Sequence, residues 1–214
     1  MIAWLVIYVL CVYLLDKNYQ LLRDTCNADK KSYSLSRVQL AWWMGLVLCA
    51  FVAVVFNRNN PHLTIPTFYY GILVVLGISS GTTAAASLID SSDQSNSLIT
   101  RHQDEEGVNL FLDILSDKNG VSVNRLQTVL FNIIFGFWFF ISVWKNLDCY
   151  NTIFDDPKHL IHYYPCKDYI DIIIKSLDKI IPDINERALI LLGLSSGTYA
   201  ALKTTENKAE NPVG

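Results

Sequence analysis

The sequence predicts an all-α membrane protein. It reads as a polytopic helical bundle of five spans, a tandem duplicated two-helix hairpin preceded by an N-terminal helix. Three observations predict this. None of the 17 Lys and Arg or the 20 Asp and Glu falls in stretches 1–15, 38–56, 66–89, 126–144 or 188–202. The 214 residues are 51% hydrophobic and only 17% charged. Two patterns of residues occur twice in the same order. A soluble domain would carry charge on the outer face of each amphipathic helix, and these stretches carry none. The composition also excludes a disordered or collagen-like chain. A net charge of −3 leaves no basic footprint for nucleic acid.

Crossing about 30 Å of hydrocarbon takes roughly 20 apolar helical residues. Stretch 1–15 is short, but it can lengthen through Asp16 and Lys17 to Leu21 and Leu22, because a lysine stem reaches back to the interface. It has no basic start and no small-x-small cleavage site, so it reads as an uncleaved helix. Stretches 38–56 and 66–89 are full spans. Stretch 126–144 is another, dense in aromatics from Phe131 to Phe140. Stretch 188–202 follows Pro182 and contains Ser195, Ser196 and Thr198, so it reads as a span held by packing inside the bundle. The chain then divides into a helix and its connection (1–33), hairpin one (34–90), a linker with a short amphipathic segment (91–121), hairpin two (122–206) with an external loop at 148–186, and a tail (207–214).

Basic residues in short flanking loops set orientation. Connection 16–37 holds Lys17, Arg23, Lys30, Lys31 and Arg37, while 57–65 holds only Arg58. This predicts an external N-terminus and a cytoplasmic C-terminus. The external 145–187 connection carries six basic residues, which pull the other way.

The duplication appears at both ends of each hairpin. Ser34-Leu35-Ser36-Arg37-Val38-Gln39 is echoed by Ser122-Val123-Asn124-Arg125-Leu126-Gln127. The segment from Leu76 to Ala86 is echoed by Leu192 to Leu202, with the shared run Leu-Gly-Ile/Leu-Ser-Ser-Gly-Thr. Asp90 and Glu206 each lie nine residues past the second glycine of their unit. Two spans per unit return the chain to its starting side, so the units should be parallel repeats about a pseudo-two-fold along the membrane normal.

These motifs, L-S-R-x-Q-x-A-W-W at Leu35–Trp43 and L-G-x-S-S-G-T at Leu76 and Leu192, resemble a group of uncharacterised bacterial inner-membrane proteins. The stretch Asp113–Gln127 is similar to the same group. The resemblance covers most of 33–90 and 108–206 and implies a bacterial inner membrane. Where the group often has Trp after the second Arg-x-Gln, this chain has Leu130-Phe131.

Gly77, Gly81 and Ala85, and likewise Gly193, Gly197 and Ala201, stand four apart and so share one helix face. Small faces let membrane helices approach closely. They would pack the third span on the fifth, or on another subunit. The other reading is a pore between subunits, with Ser79, Ser80, Thr82, Ser195, Ser196 and Thr198 along it. Against it, a helix hydroxyl can bond its own backbone. Arg37, Arg125, Asp90 and Glu206 read as interfacial charges at the ends of the spans, with Trp42 and Trp43 as belt aromatics.

In the external loop, Cys149 and Cys166 could form a disulfide in an oxidising compartment. His159 and His162 lie nearby, but no second ligand pair has metal-site spacing, so no metal is assigned. Ile170, Ile173, Ile174, Leu177 and Ile181 recur at helical spacing, as in an amphipathic surface helix. Asp117-Lys118-Asn119-Gly120 reads as a turn before an N-cap at Ser122, since a calcium loop would need further acidic ligands. No P-loop, H-E-x-x-H, G-x-S-x-G or nucleotide fingerprint is present, and no cofactor is expected. The charge-free spans argue against a proton-driven carrier. The expected function is non-enzymatic: an oligomeric scaffold or sensor subunit in the lipid bilayer that engages a cytoplasmic protein partner. The alternative is an oligomeric channel lined by the Ser/Thr-bearing helices.

Overall fold

The computed structural model describes residues 1–24, 30–60, 65–66, 68–95, 107–117, 120–155 and 180–206; at 153–155, 205 and 206 only the backbone is described. The elements are α1 (Ile2–Tyr19), α2 (Leu35–Val55), α3 (Tyr70–Gln94), α4 (Leu110–Leu115), β1 (Ser116–Asp117), β2 (Gly120–Val121), α5 (Val123–Asp155) and α6 (Glu186–Glu206). Helices α1, α2, α3 and α5 are long and apolar enough to cross a membrane. The expected fifth span, α6, is not among them, since Glu186, Arg187, Lys203 and several hydroxyls lower its apolarity.

Local chemistry sets the helix ends. The first helix stops at Tyr19, short of the expected Leu22, because Gln20 turns left-handed at φ 57°. The Asp16 carboxylate then accepts the Leu22 amide at 2.9 Å and fixes the exit of the chain. Asn60 donates to the Val54 and Val55 carbonyls at the C-terminus of α2, where Val54 also accepts the Asn57 amide. Asn109 caps α4 through the Leu112 amide, and Asn185 caps α6 through the Ala188 amide. Strands β1 and β2 pair antiparallel with Asp117 opposite Gly120, which sits at φ 100°, a region that favours glycine; residues 118 and 119 of the expected turn lie outside the described residues. Helix α5 runs 33 residues, so the first part of the expected 148–186 loop is helical.

Helices α2, α3, α6 and α5 close a four-helix ring in that order, and α1 packs on α2. Tyr8 donates to the Ala41 carbonyl at 2.7 Å, and Gly45 leaves room for its ring. The sequence repeat predicts a two-fold along the membrane normal with the third span packed on the fifth. Helices α3 and α6 are neighbours as expected, but α2 and α5 are neighbours too, which a two-fold relating the hairpins would not give. The two hairpins therefore stand side by side, with α3 parallel to α6 and α2 parallel to α5. Alternation between the two sides fixes the direction of each helix but not its neighbours.

One end of the bundle, here the lower, gathers the α2 and α5 N-termini with the α3 and α6 C-termini. The upper half of the interior is apolar: Val54, Ile72, Val75, Phe139, Val143, Ile181 and Leu192 are buried in one cluster. At the upper end, Asn59 bonds Asn151 at 3.0 Å and Asn146 bonds the Ile180 carbonyl at 3.1 Å. Of the expected amphipathic helix around 170–181, only Ile180 and Ile181 are described, and both lie in the core.

The upper end of α3 has a sharp steric requirement. A Cβ at Gly71 would meet the Asp183 carboxylate and the Ile184 backbone. The Gly71 amide itself donates to Asp183 Oδ1 at 3.1 Å. Gly71→Ala should cost about 1–3 kcal/mol by overpacking. Gly77→Ala, with nothing within 4 Å of its Cβ, should be neutral. Thermal unfolding in detergent compares them, and equal midpoints would contradict this packing.

Candidate functional site

The lower half of the interior is polar. Each of the four bundle helices contributes buried groups: Ser36 and Gln39 from α2, Ser79 and Thr82 from α3, Thr128 and Asn132 from α5, and Ser195 and Ser196 from α6. Gln39 donates to Ser196 Oγ at 2.9 Å across the bundle. Thr128 Oγ1 reaches the Ser195 carbonyl at 3.3 Å, and Thr83 Oγ1 reaches the Ser36 carbonyl at 3.1 Å. Thr82 and Ser195 bond their own helix backbones. Gln39 Oε1 and Ser79 Oγ are buried without a hydrogen-bond partner among the described residues.

Asn132 organises the α2–α5 seam. Its Oδ1 accepts Trp43 Nε1–H at 2.6 Å, and its backbone carbonyl accepts Trp42 Nε1–H at 3.0 Å. Its own amide donates to the Thr128 carbonyl at 2.7 Å. Buried indoles need acceptors, and Asn132 supplies both. Gly136, one turn on, leaves space for the Trp42 ring. The tryptophans are therefore not belt aromatics: Trp43 is fully buried, and Trp42 is partly buried against the core.

Below this layer lies charge. Lys203 on α6 donates to Asp90 Oδ2 on α3 at 2.9 Å, and both side chains are buried. Asp24 adds to the negative field at Lys203. Arg125 is buried with its guanidinium 5.5 Å from the Tyr199 ring centroid, across α5 and α6. Beside them, Asp16 lies 3.6 Å from Arg23, whose guanidinium also covers the Tyr33 ring at 4.5 Å. Burial pushes the Tyr33 phenol above its ordinary range, against the opposing pull of the Arg23 charge. This network ties the α1 exit to the entry of α2.

The sequence-derived residues separate by face. Ser79, Thr82, Ser195 and Ser196 point into the bundle, whereas Ser80 and Thr198 are exposed. A pore lined by all six is thus not formed within one chain. Gly77, Gly81, Gly197 and Ala201 are exposed, and Ala85 and Gly193 are partly buried. A Cβ at Gly77, Gly81 or Gly197 would meet nothing within 4 Å, and at Gly193 only Ile78 at 3.6 Å. Helices α3 and α6 do pack together, with Gly193 at the margin of the contact beside Ile78, while Gly77, Gly81 and Gly197 look outward. Asp90 is an interfacial charge turned inward onto Lys203. Arg37 is partly buried at the α2 entry. The Glu206 side chain and Cys166 lie outside the described residues, so the expected disulfide from Cys149 does too. Among the described residues, no group of His, Cys, Asp and Glu has the makings of a metal site.

No family model, curated protein or solved structure matches the chain.

Sequence reasoning missed Gln39, Thr128, Asn132 and Lys203. Gln39 sits in the repeated Arg-x-Gln motif, and Thr128 and Asn132 stand four apart in an otherwise apolar span. Those spacings were visible signals. Nothing in the sequence matched Lys203 to Asp90.

Proposed function

We propose that this chain is a non-enzymatic integral membrane protein that self-associates through the outward small-residue faces of α3 and α6, serving as a scaffold or sensor subunit for a cytoplasmic partner. The observation that carries the reading is the open space beside Gly77, Gly81 and Gly197, three glycines on two adjacent parallel helices. A small face exposed to hydrocarbon gains nothing from being small, whereas a second helix can approach it closely. The interior supports the same reading, because Trp43, Phe139, Val54 and Ile72 fill the bundle and are fully buried. In this proposal α6 is the fifth span, the membrane is a bacterial inner membrane, and the lower end is cytoplasmic.

Gly81→Leu and Gly197→Leu test the association. Each should leave the thermal stability of the monomer unchanged and shift the oligomer profile toward monomer in mild detergent. Oligomers that persist in both variants and in the double would sink the proposal. Orientation has its own test: a topology reporter fused after Gly214 should read cytoplasmic, and a periplasmic signal would reverse the assignment.

The channel reading rests on Ser80 and Thr198, the two hydroxyls exposed beside those glycines. It requires the oligomer to enclose them. Conductance of purified protein in planar bilayers that vanishes in Ser80→Leu would favour it over the scaffold.

A further inference from the structure

Helix α4 lies against the first turns of α2 and α5. Ile114 is buried with Leu35 of α2 and Tyr199 of α6, and Leu110 and Leu115 pack there beside Val38 and Val129. Val38 opens the charge-free stretch 38–56, and Val129 lies inside the charge-free stretch 126–144. Val129 stands one turn of α5 above Arg125, a rise of about 6 Å. The short helix is therefore level with the apolar parts of two helices long and apolar enough to cross a membrane, rather than below their charged ends.

The outer face of α4 is apolar as well. Val108 and Phe111 are 63% and 68% exposed, and Leu112 is exposed beside them. A helix facing water turns its polar residues outward. Here the acidic residue of α4, Asp113, is turned onto the chain itself. Its Oδ1 accepts the Val108 and Asn109 amides, and its Oδ2 accepts the Tyr33 amide. Asn109 Oδ1 accepts the Leu112 amide, and the Lys30 carbonyl accepts the Gly107 amide at 2.8 Å. Amides at a helix start ordinarily turn to water. A segment that leaves water has to bond them internally. The chain then returns to the start of α5, with the Ser122 amide on the Leu115 carbonyl at 2.8 Å.

We infer that α4 is a re-entrant element of the membrane, which enters and leaves on the lower side and sets Val108, Phe111 and Leu112 against the acyl chains just inside the headgroups. The inference rests on α2 and α5 spanning the bilayer. Lipid is the occupant because the same surface continues up α5 through the exposed residues Leu130, Ile133 and Ile134, which hydrocarbon covers in a spanning helix. Helices lying in the interface bury their apolar face about 5–10 Å below it, which matches the one-turn rise from Arg125 to Val129.

Site-specific fluorescence in phosphatidylcholine vesicles tests this. Phe111→Cys, Leu112→Cys, Ile134→Cys and Ser95→Cys would each be made in the full chain with its native cysteines changed to Ser, and labelled with an environment-sensitive fluorophore. Acyl chains brominated near the headgroup quench from the lipid, and iodide quenches from water. Labels on Phe111→Cys and Leu112→Cys should be quenched severalfold more by brominated lipid than by iodide, as on Ile134→Cys in the middle of α5. Ser95→Cys, at the exposed lower end of α3, should show the reverse. Iodide quenching at Phe111→Cys and Leu112→Cys equal to that at Ser95→Cys, with Ile134→Cys still quenched from the lipid, would overturn the inference and leave the spans in place. Iodide quenching at Ile134→Cys would overturn the spanning reading, and this inference with it. Protection of Phe111→Cys and Leu112→Cys from both quenchers would overturn it in favour of a protein contact on α4.

Discussion

Lys203→Met will destabilise the protein by about 3–5 kcal/mol, the usual cost of stranding one member of a buried ion pair. The pair is Lys203 Nζ with Asp90 Oδ2 at 2.9 Å, and both residues are buried. The lost attraction is the smaller part of the effect. The larger part is the Asp90 carboxylate, left in a low-dielectric interior without the ammonium opposite it. Asp90→Asn strands the Lys203 ammonium in turn, but should cost less than Lys203→Met, because the Asn carbonyl can still accept from that ammonium, whereas methionine offers Asp90 no donor. The double change Asp90→Leu with Lys203→Met should recover much of the loss, since a well-packed apolar pair can replace a buried salt bridge. Reversible unfolding in mixed micelles would give all four stabilities. A loss of under about 1 kcal/mol for Lys203→Met would place the pair in the regime of solvated surface bridges, which would contradict the burial seen in the fold.

The second large effect lies at the α2–α5 seam. Trp43→Ala should cost about 3–5 kcal/mol, as for large aromatics deleted from a packed core. Trp43 is fully buried against Phe139, with ring centroids 6.4 Å apart. Trp43→Phe separates packing from hydrogen bonding. It keeps most of the apolar contact and removes the Nε1–H that Asn132 Oδ1 accepts at 2.6 Å. An acceptor left unpaired in the interior costs about 1–3 kcal/mol. Pairing Trp43→Phe with Asn132→Leu should therefore lose less than the two single changes added together. Strict additivity would show that Asn132 is satisfied in another way.

Much of the architecture was legible because a membrane punishes charge. The charge-free stretches located α1, α2, α3 and the core of α5 within a few residues of their observed bounds. Stretch 188–202 likewise found the helix α6, though it carries charge at both ends. Direction of packing was not legible. Four-residue spacing puts Gly77 and Gly81 on one face of α3, but spacing cannot say whether that face looks toward α6 or away. Tryptophan poses the same problem: Trp42 and Trp43 have chemistry suited to a headgroup belt or to a core with an acceptor. Only the position of Asn132 on a separate helix decides between them. Lys203 lay just past a charge-free stretch, and its sequence neighbours hold no hint of Asp90, more than a hundred residues earlier. The polar layer was half legible. The hydroxyls of α3 and α6 cluster in the repeated motif, whereas Gln39, Thr128 and Asn132 are isolated polar residues within apolar spans.

Self-association through outward glycine faces is the centre of this account, and cross-linking in native membranes tests it most directly. Gly81→Cys and Gly197→Cys would each be introduced into a chain whose five native cysteines are changed to Ser. Trp138→Cys, on an exposed part of α5, serves as a control for random collision. The account predicts that mild oxidation converts Gly81→Cys or Gly197→Cys to a covalent dimer while Trp138→Cys stays monomeric. Monomers at all three positions, or dimers formed equally at all three, would contradict it.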